Sequence, residues 1–184
     1  MALAAIVLAA GRASRFGADK LLADFRGEPL VAHALRAALV APVARVVLVG
    51  GAHLPMPADP RLSRVDGGAG LADSLRAGLA AAGDADGVFV FLGDMPLVPH
   101  GLAARLAEAL GDALAAVPGH EGQPGHPVLL SRAAMALAEG LAGDEGLGKL
   151  LRGRADVVGL PVDDAGAVVD VDTPAALSAL SRQP

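Results

Sequence analysis

The sequence predicts an α/β fold built on a mostly parallel sheet. Two observations carry that prediction. Apolar runs of strand length alternate with helical patterns along all 184 residues. Three of those runs are continuous Val, Ile, Leu or Phe, as strands covered on both faces require. The candidate strands are 3–8, 45–49, 87–92, 113–117 and 156–160, and the helix-like stretches are 29–40, 70–82, 101–110, 133–141 and 174–180. Pro29 and Pro174 suit a first helical turn, where a missing N–H costs nothing. Alanine, roughly a fifth of the chain, raises helix propensity throughout and lets an alanine face point inward or outward. Two segments resist the alternation. Residues 52–68, rich in Pro, Gly and Arg, read as a loop crossing the sheet edge. Residues 117–127 are too broken for regular structure and read as a functional loop. No repeat or linker divides the chain, so residues 1–184 are expected to form one domain.

Composition removes several classes of function. With 15 basic and 20 acidic residues the net charge is −5, which disfavours a nucleic-acid binder. Aromatics are 2% of the chain, too few for base-stacking platforms. Zero cysteines exclude disulfides, thiolate catalysis, iron–sulfur clusters and Cys-based zinc sites. The histidines (His33, His53, His100, His120, His126) are scattered without ligand spacing. Every apolar run is interrupted before the ~18–20 residues a membrane helix needs. The apolar start lacks the basic flank of a signal peptide, so a cytoplasmic protein with a buried first strand is expected.

Three constellations carry chemistry. In the first, the strand ending at Leu8 runs into Ala9-Ala10-Gly11-Arg12-Ala13-Ser14-Arg15-Phe16-Gly17-Ala18-Asp19-Lys20. Glycine lets backbone amides approach a phosphate, and Arg15 and Lys20 add a planar fork and a compact point charge. The spacing matches neither GxxxxGK[ST] nor GxGxxG. An ordinary strand–helix turn with solvated cations is the alternative. The second is Val88-Phe89-Val90-Phe91-Leu92-Gly93-Asp94-Met95-Pro96, a hydrophobic strand ending in a carboxylate. Ligands bind beyond the carboxyl ends of strands in open α/β sheets, so Asp94 can hold a hard cation such as Mg²⁺ or cap the following turn. The third is Val168-Val169-Asp170-Val171-Asp172-Thr173-Pro174. If it is extended, Asp170 and Asp172 share a face and offer a second metal carboxylate. Asp172 or Thr173 can equally cap the helix starting at Pro174.

Together these motifs resemble the MobA-like nucleotidyltransferases, most closely their molybdenum cofactor cytidylyltransferase (MocA-type) branch. Residues 8–22 look like the family's LAAGxSxRxGxxKLL, Gly27-Glu28-Pro29-Leu30 its GxPL, and Ser74-Leu75-Arg76-Ala77-Gly78-Leu79 its SLRAGL. Gly93-Asp94-Met95-Pro96, Gly125-His126-Pro127-Val128-Leu129 and Asp170-Val171-Asp172-Thr173-Pro174 follow in the family's order. Each match is modest, but six in sequence span nearly the whole chain.

The resemblance implies a Rossmann-like nucleotidyltransferase fold, a mostly parallel central sheet with helices on both faces. It also implies Mg²⁺-dependent transfer of CMP from CTP to the terminal phosphate of molybdopterin, with pyrophosphate released. By carry-over Leu8, Ala9, Ala10, Gly11 and Arg12 line the nucleotide, and Arg15 and Lys20 grip its phosphates. Asp94 and Asp172 hold the metal, and Ser74 approaches the nucleotide or caps its helix. His126 and Asp170 face the acceptor, although a tight turn accounts for His126 equally well. A molybdenum-dependent oxidoreductase is the implied recipient of the product. The acceptor phosphate is already ionised, so no catalytic base is demanded.

Guanylyltransferase relatives usually carry LAGG where this chain has Leu8-Ala9-Ala10-Gly11, and Ala10 therefore points to cytidine. One departure concerns Gly148, which stands where the family's GDxGARxLL has Arg; Lys149 can supply charge only from a neighbouring direction. Guanylyl transfer, transfer to another small phosphate, and a non-catalytic carrier of molybdenum cofactor are the competing readings.

Overall fold

The computed structural model describes residues 1–11 and 19–182; Arg12 and Arg15, expected at the nucleotide, lie outside them. The chain opens with β1 (Leu3–Leu8) and, after a 3-10 turn at Lys20–Leu22, makes a short ribbon of β2 (Asp24–Phe25) and β3 (Glu28–Pro29). Then come α1 (Leu30–Val40), β4 (Arg45–Val49), β5 (Leu62–Val65), α2 (Leu71–Ala82), β6 (Gly87–Leu92) and α3 (Leu102–Leu110). The second half holds β7 (Ala115–His120), β8 (Gln123–Pro124), β9 (Val128–Ser131), α4 (Arg132–Ala138), α5 (Leu147–Leu151), β10 (Val157–Pro161) and α6 (Pro174–Ser181).

The main sheet has the order β10-β7-β9-β6-β1-β4-β5, with β8 paired to β7. Only β8 and β9 run against the others, so the expected mostly parallel α/β sheet is observed. Side chains alternate between faces along each strand. Ala5, Val7, Phe89 and Phe91 join Val31 and Leu35 of α1 and Leu102 and Leu106 of α3 in one buried cluster. Ala4, Ile6, Val88 and Val90 join Leu75 and Leu79 of α2 and Ala134 of α4 in the other. Helices thus cover both faces, and the central strands need apolar residues at every position.

The topology also selects one end of the sheet. β1 is followed by α1 and β4 on one side, whereas β6, its neighbour on the other side, leads away towards β9 and β7. Connections leaving in opposite directions open a crevice at the carboxyl ends of β1 and β6, the switch point of the fold. A small third cluster beside this crevice joins Phe25, Leu30 and Val171, with Leu177 and Leu180 of α6 packed against it.

The expected helices stand within a residue or two of their bounds, except that α4 ends at Ala138, and the five-residue α5 is not among those expected. Residues 52–68 are not all loop: β5 forms the sheet's edge, its single pairing partner explaining its weak apolar signal. The broken segment 117–127 holds the end of β7 and the hairpin to β8. Its two-residue turn has Glu121 and Gly122 at φ 48° and 82°, the positive pair such tight hairpins need. β9 escaped the sequence reading because four residues bounded by Pro127 and a helix carry no period. Pro29 does not open the first turn of α1; it caps it at φ −56°, ψ 138° and pairs with Asp24. Residues 168–172 are not a strand, although buried Val171 still separates exposed Asp170 and Asp172.

Gly78 sets the distance between α2 and the sheet, because a Cβ there would lie 2.8 Å from Val49 Cγ2 and 3.0 Å from Ile6 Cδ1. Gly78→Val is expected to destabilise the fold by about 1–3 kcal/mol through overpacking, read as a lower midpoint in urea unfolding.

Candidate functional site

A cavity of about 580 Å³ opens in the crevice between the carboxyl ends of β1 and β6. It is lined by Leu8, Ala9, Ala10 and Gly11 after β1, by Lys20, by Leu92 and Asp94 after β6, and by Ser74 of α2. The structure thereby brings together every expected nucleotide-lining residue that it describes. Gly11 has open space around a would-be Cβ, so its backbone is accessible from the cavity. Gly93 is glycine for the opposite reason: a Cβ would press on Leu8 O at 3.2 Å and Ala9 Cβ at 3.3 Å, where the two strand ends join.

At the mouth stands a charged cluster. Lys20 Nζ donates to Asp94 Oδ2 at 2.8 Å and to Asp172 Oδ1 at 3.0 Å, with the lysine side chain only 14% exposed. Each member is positioned by its own local structure. Lys20 begins the 3-10 turn whose first N–H groups are capped by Asp19, Oδ1 accepting from Leu21 N at 3.1 Å. Asp94 follows Gly93 at the end of β6. Asp172 is brought in by Val171, which is buried with Phe25 and Leu30 and donates its N–H to Asp94 O at 2.9 Å. Thr173, not Asp172, caps α6, accepting from Ala176 N at 3.1 Å, so both Asp172 oxygens are free of capping.

The electrostatics follow from this crowding. Burial alone would lower the Lys20 pKa, but hydrogen bonds and charge from Asp94 and Asp172 outweigh it, and the ammonium is held above its ordinary value. Asp170 is pushed the other way for a carboxyl: desolvation, then the charges of Asp172 and Asp94, raise its pKa. Among the described residues no three His, Asp or Glu side chains converge as metal ligands. Two carboxylates held by one cation suit a hard ion such as Mg²⁺, which takes one or two carboxylates and completes its shell with water and substrate phosphate.

His126 lies beside β6, joined to Pro127 by a cis peptide bond. Its Nδ1 is 3.0 Å from Val90 O, and since a carbonyl only accepts, Nδ1 carries the proton and Nε2 keeps its lone pair. Burial lowers its pKa and keeps the ring neutral. His126 is not part of the cavity lining.

Several residues escaped the sequence reading. Gly68, Ala69, Gly70 and Leu71 form the cavity wall opposite Lys20, with Gly70 at the N-cap of α2. Gly67 packs so closely that a Cβ there would lie 2.1 Å from Ala10 Cβ. The signal was the run Gly67-Gly68-Ala69-Gly70 before a helical pattern, a second anion-compatible helix start. Ser74 is not a cap; its hydroxyl donates to Gly70 O at 3.0 Å and accepts from Gly68 N at 3.2 Å, tying that loop down. Asp144 also reaches the cavity. Its loop is held by Ala72 N donating to Gly143 O at 3.0 Å and by Arg76 donating to Leu141 O. Lys149, on α5, does not replace the missing arginine there, because it pairs with Glu145 just before that helix.

Residues 5–158 match the MobA-like NTP transferase domain. The chain is 38% identical over 130 residues to the 2-C-methyl-D-erythritol 4-phosphate cytidylyltransferase of Cereibacter sphaeroides (strain KD131 / KCTC 12085), covering 64% of this chain and 58% of that protein. It therefore spans less than two thirds of that relative's length. It is 37% identical over 106 residues to a probable molybdenum cofactor guanylyltransferase of Pyrococcus horikoshii, covering 54% of this chain and 53% of that one. Among solved structures, Rv0371c from Mycobacterium tuberculosis H37Rv superposes with TM-score 0.87 at 30% identity over the whole of both chains. A complex of Rv0371c with manganese superposes with TM-score 0.83 at 27% identity, over 99% of this chain and 98% of that one.

The Asp170 environment makes a signed prediction. Its raised folded-state pKa means that its charge opposes folding at neutral pH and that this cost fades as pH falls through the raised value. Asp170→Asn should raise the melting temperature at pH 7 by about 2 °C and give no gain below the carboxylate range, measured by calorimetry across pH.

Proposed function

This chain belongs to the MobA-like NTP transferase family, and from that premise we propose that it transfers CMP from CTP to the terminal phosphate of molybdenum cofactor, releasing pyrophosphate. The observation that carries nucleotidyl transfer is the cavity, with glycine-rich backbone on both walls and Lys20 and Asp94 at its mouth. Such a site takes a polyanion: amide edges and the start of α2 receive phosphate oxygens, and Lys20 neutralises them. Arg12 and Arg15, between Gly11 and Lys20 in the sequence, are proposed to add charge. Asp94 and Asp172 would hold Mg²⁺, which when bound draws charge from the phosphates as the α-phosphorus is attacked. The acceptor phosphate arrives ionised, so these residues need only align it and cancel repulsion. His126 and Asp170 are proposed to face the acceptor, the neutral imidazole offering Nε2 to a donor group there.

Two findings favour cytidine. Ala10 puts a methyl group in the wall where guanylyltransferase relatives carry glycine, a difference of about 1–3 kcal/mol in base fit. The Cereibacter relative is itself a cytidylyltransferase. That same likeness supports a second reading, with a small polyol phosphate as the acceptor.

Pyrophosphate release should be measured with Mg²⁺, each of the four nucleoside triphosphates, and either molybdenum cofactor, 2-C-methyl-D-erythritol 4-phosphate or no acceptor. Release is expected with CTP and molybdenum cofactor. Faster release with GTP would reject the base assignment, and release with the polyol phosphate alone would move the acceptor to the second reading. Asp94→Ala is expected to cut the rate at least about hundredfold, as loss of a main electrostatic element does. Unchanged delivery of cofactor to a molybdenum-dependent oxidoreductase by that variant would instead favour a carrier.

A further inference from the structure

The two carboxylates proposed to hold a divalent ion already hold a cation of the chain's own. Lys20 Nζ makes hydrogen-bond contact with both, at 2.8 Å to Asp94 and 3.0 Å to Asp172. A divalent ion held by those same two carboxylates would be repelled by the ammonium that already contacts both, and like charges in a half-buried site repel strongly. Ion and ammonium therefore compete for the pair. The ammonium has the advantage of being tethered: it pays no translational entropy to reach its partners. The pair is nevertheless not neutral, since two carboxylates, Asp94 and Asp172, share the one ammonium of Lys20.

We propose that Lys20 is the resident counter-ion of Asp94 and Asp172, and that a divalent ion gains the pair only when nucleotide phosphates draw the ammonium away. This rests on the nucleotidyl-transfer reading and adds to it an order: ion and nucleotide load together, not the ion first. Lysine suits such an exchange. Its ammonium is a point charge on a flexible four-carbon stem, so it can swing from carboxylate to phosphate without matching a planar geometry. Once it leaves, the two carboxylates lose the ammonium they share and bind the metal better. By linkage, the metal strengthens nucleotide binding by the same factor.

Mn²⁺ is the probe, its binding followed by water-proton relaxation and electron paramagnetic resonance, with and without a non-reactive α,β-methylene CTP or GTP analogue. The wild-type chain should bind Mn²⁺ about tenfold or more tightly when the analogue is present, the size of one or two partly exposed ion pairs. Lys20→Gln should bind Mn²⁺ alone about tenfold more tightly than wild type and lose most of the gain from the analogue, whereas Lys20→Arg, which keeps the charge, should stay weak. Unchanged Mn²⁺ affinity in a folded Lys20→Gln chain overturns the proposal. Should that variant fail to fold, the wild-type comparison decides: equal Mn²⁺ affinity with and without analogue also overturns it. A wild-type chain that binds neither analogue defeats the nucleotidyl-transfer reading and the proposal together. Turnover of nucleotide alongside unchanged Mn²⁺ affinity in Lys20→Gln defeats the proposal alone.

Discussion

The Lys20 ammonium joins parts of the chain that the sequence keeps 74 and 152 residues apart, and the functional end of the molecule is organised around it. Asp94 stands at the end of a strand buried on both faces, where a carboxylate has nowhere to go but outward beyond the sheet. Lys20 arrives on a one-turn 3-10 segment pinned by Asp19. Asp172 arrives on a loop pinned by Val171. Two carboxylates converging at one crevice would repel each other without a cation between them, so the arrangement needs either the lysine or an ion of similar charge. Structure and chemistry meet in that requirement: the charge that holds the two acids together is the charge a bound metal would replace.

The small cluster of Phe25, Leu30 and Val171 does more for this site than its size suggests. Phe25 belongs to the ribbon that follows the lysine turn, Leu30 begins α1, and Val171 carries Asp172 beside it. Burying three apolar side chains in one place therefore sets the spacing between a cation and its acid. The ribbon itself depends on a turn with Arg26 at φ 55° and Gly27 at φ 88°, where glycine has no steric cost. His53 Nε2 adds an outer support, 2.6 Å from the Asp19 carboxylate that caps the lysine turn.

Glycine takes over in the cavity wall the work that aromatic rings do in many binding sites. Gly67, Gly68 and Gly70 let the loop before α2 lie against Ala10, Asp73 and Gly143, distances at which any Cβ would clash. That closeness leaves backbone amides and small side chains facing the nucleotide site. A chain with four phenylalanines and no tryptophan or tyrosine can afford this if its substrates are the phosphates proposed above. Phosphate recognition asks for N–H donors and cations more than for stacking surface.

Much of the fold was legible because burial on both faces forces continuous apolar runs: β1, β4 and β6 stand at the residues their sequence marks. The cavity-lining Ala9, Ala10, Gly11 and Asp94 were legible for a related reason, being placed directly after such runs. β5, which has a single neighbour in the sheet, and β8 and β9, only two and four residues long, leave no such trace, because an edge strand or a short one carries no continuous apolar run. The wall from Gly68 to Leu71, and Asp144 beside it, became part of the site only because α2 crosses back over β1. Sequence alone determined the residue types, a glycine and a lysine after β1 and an acid after β6, because they follow the local pattern. Tertiary structure decided the assembly: that one ammonium answers Asp94 and Asp172 at once depends on the switch in strand order and on Val171 finding its buried place, and neither is a property of any short stretch of chain.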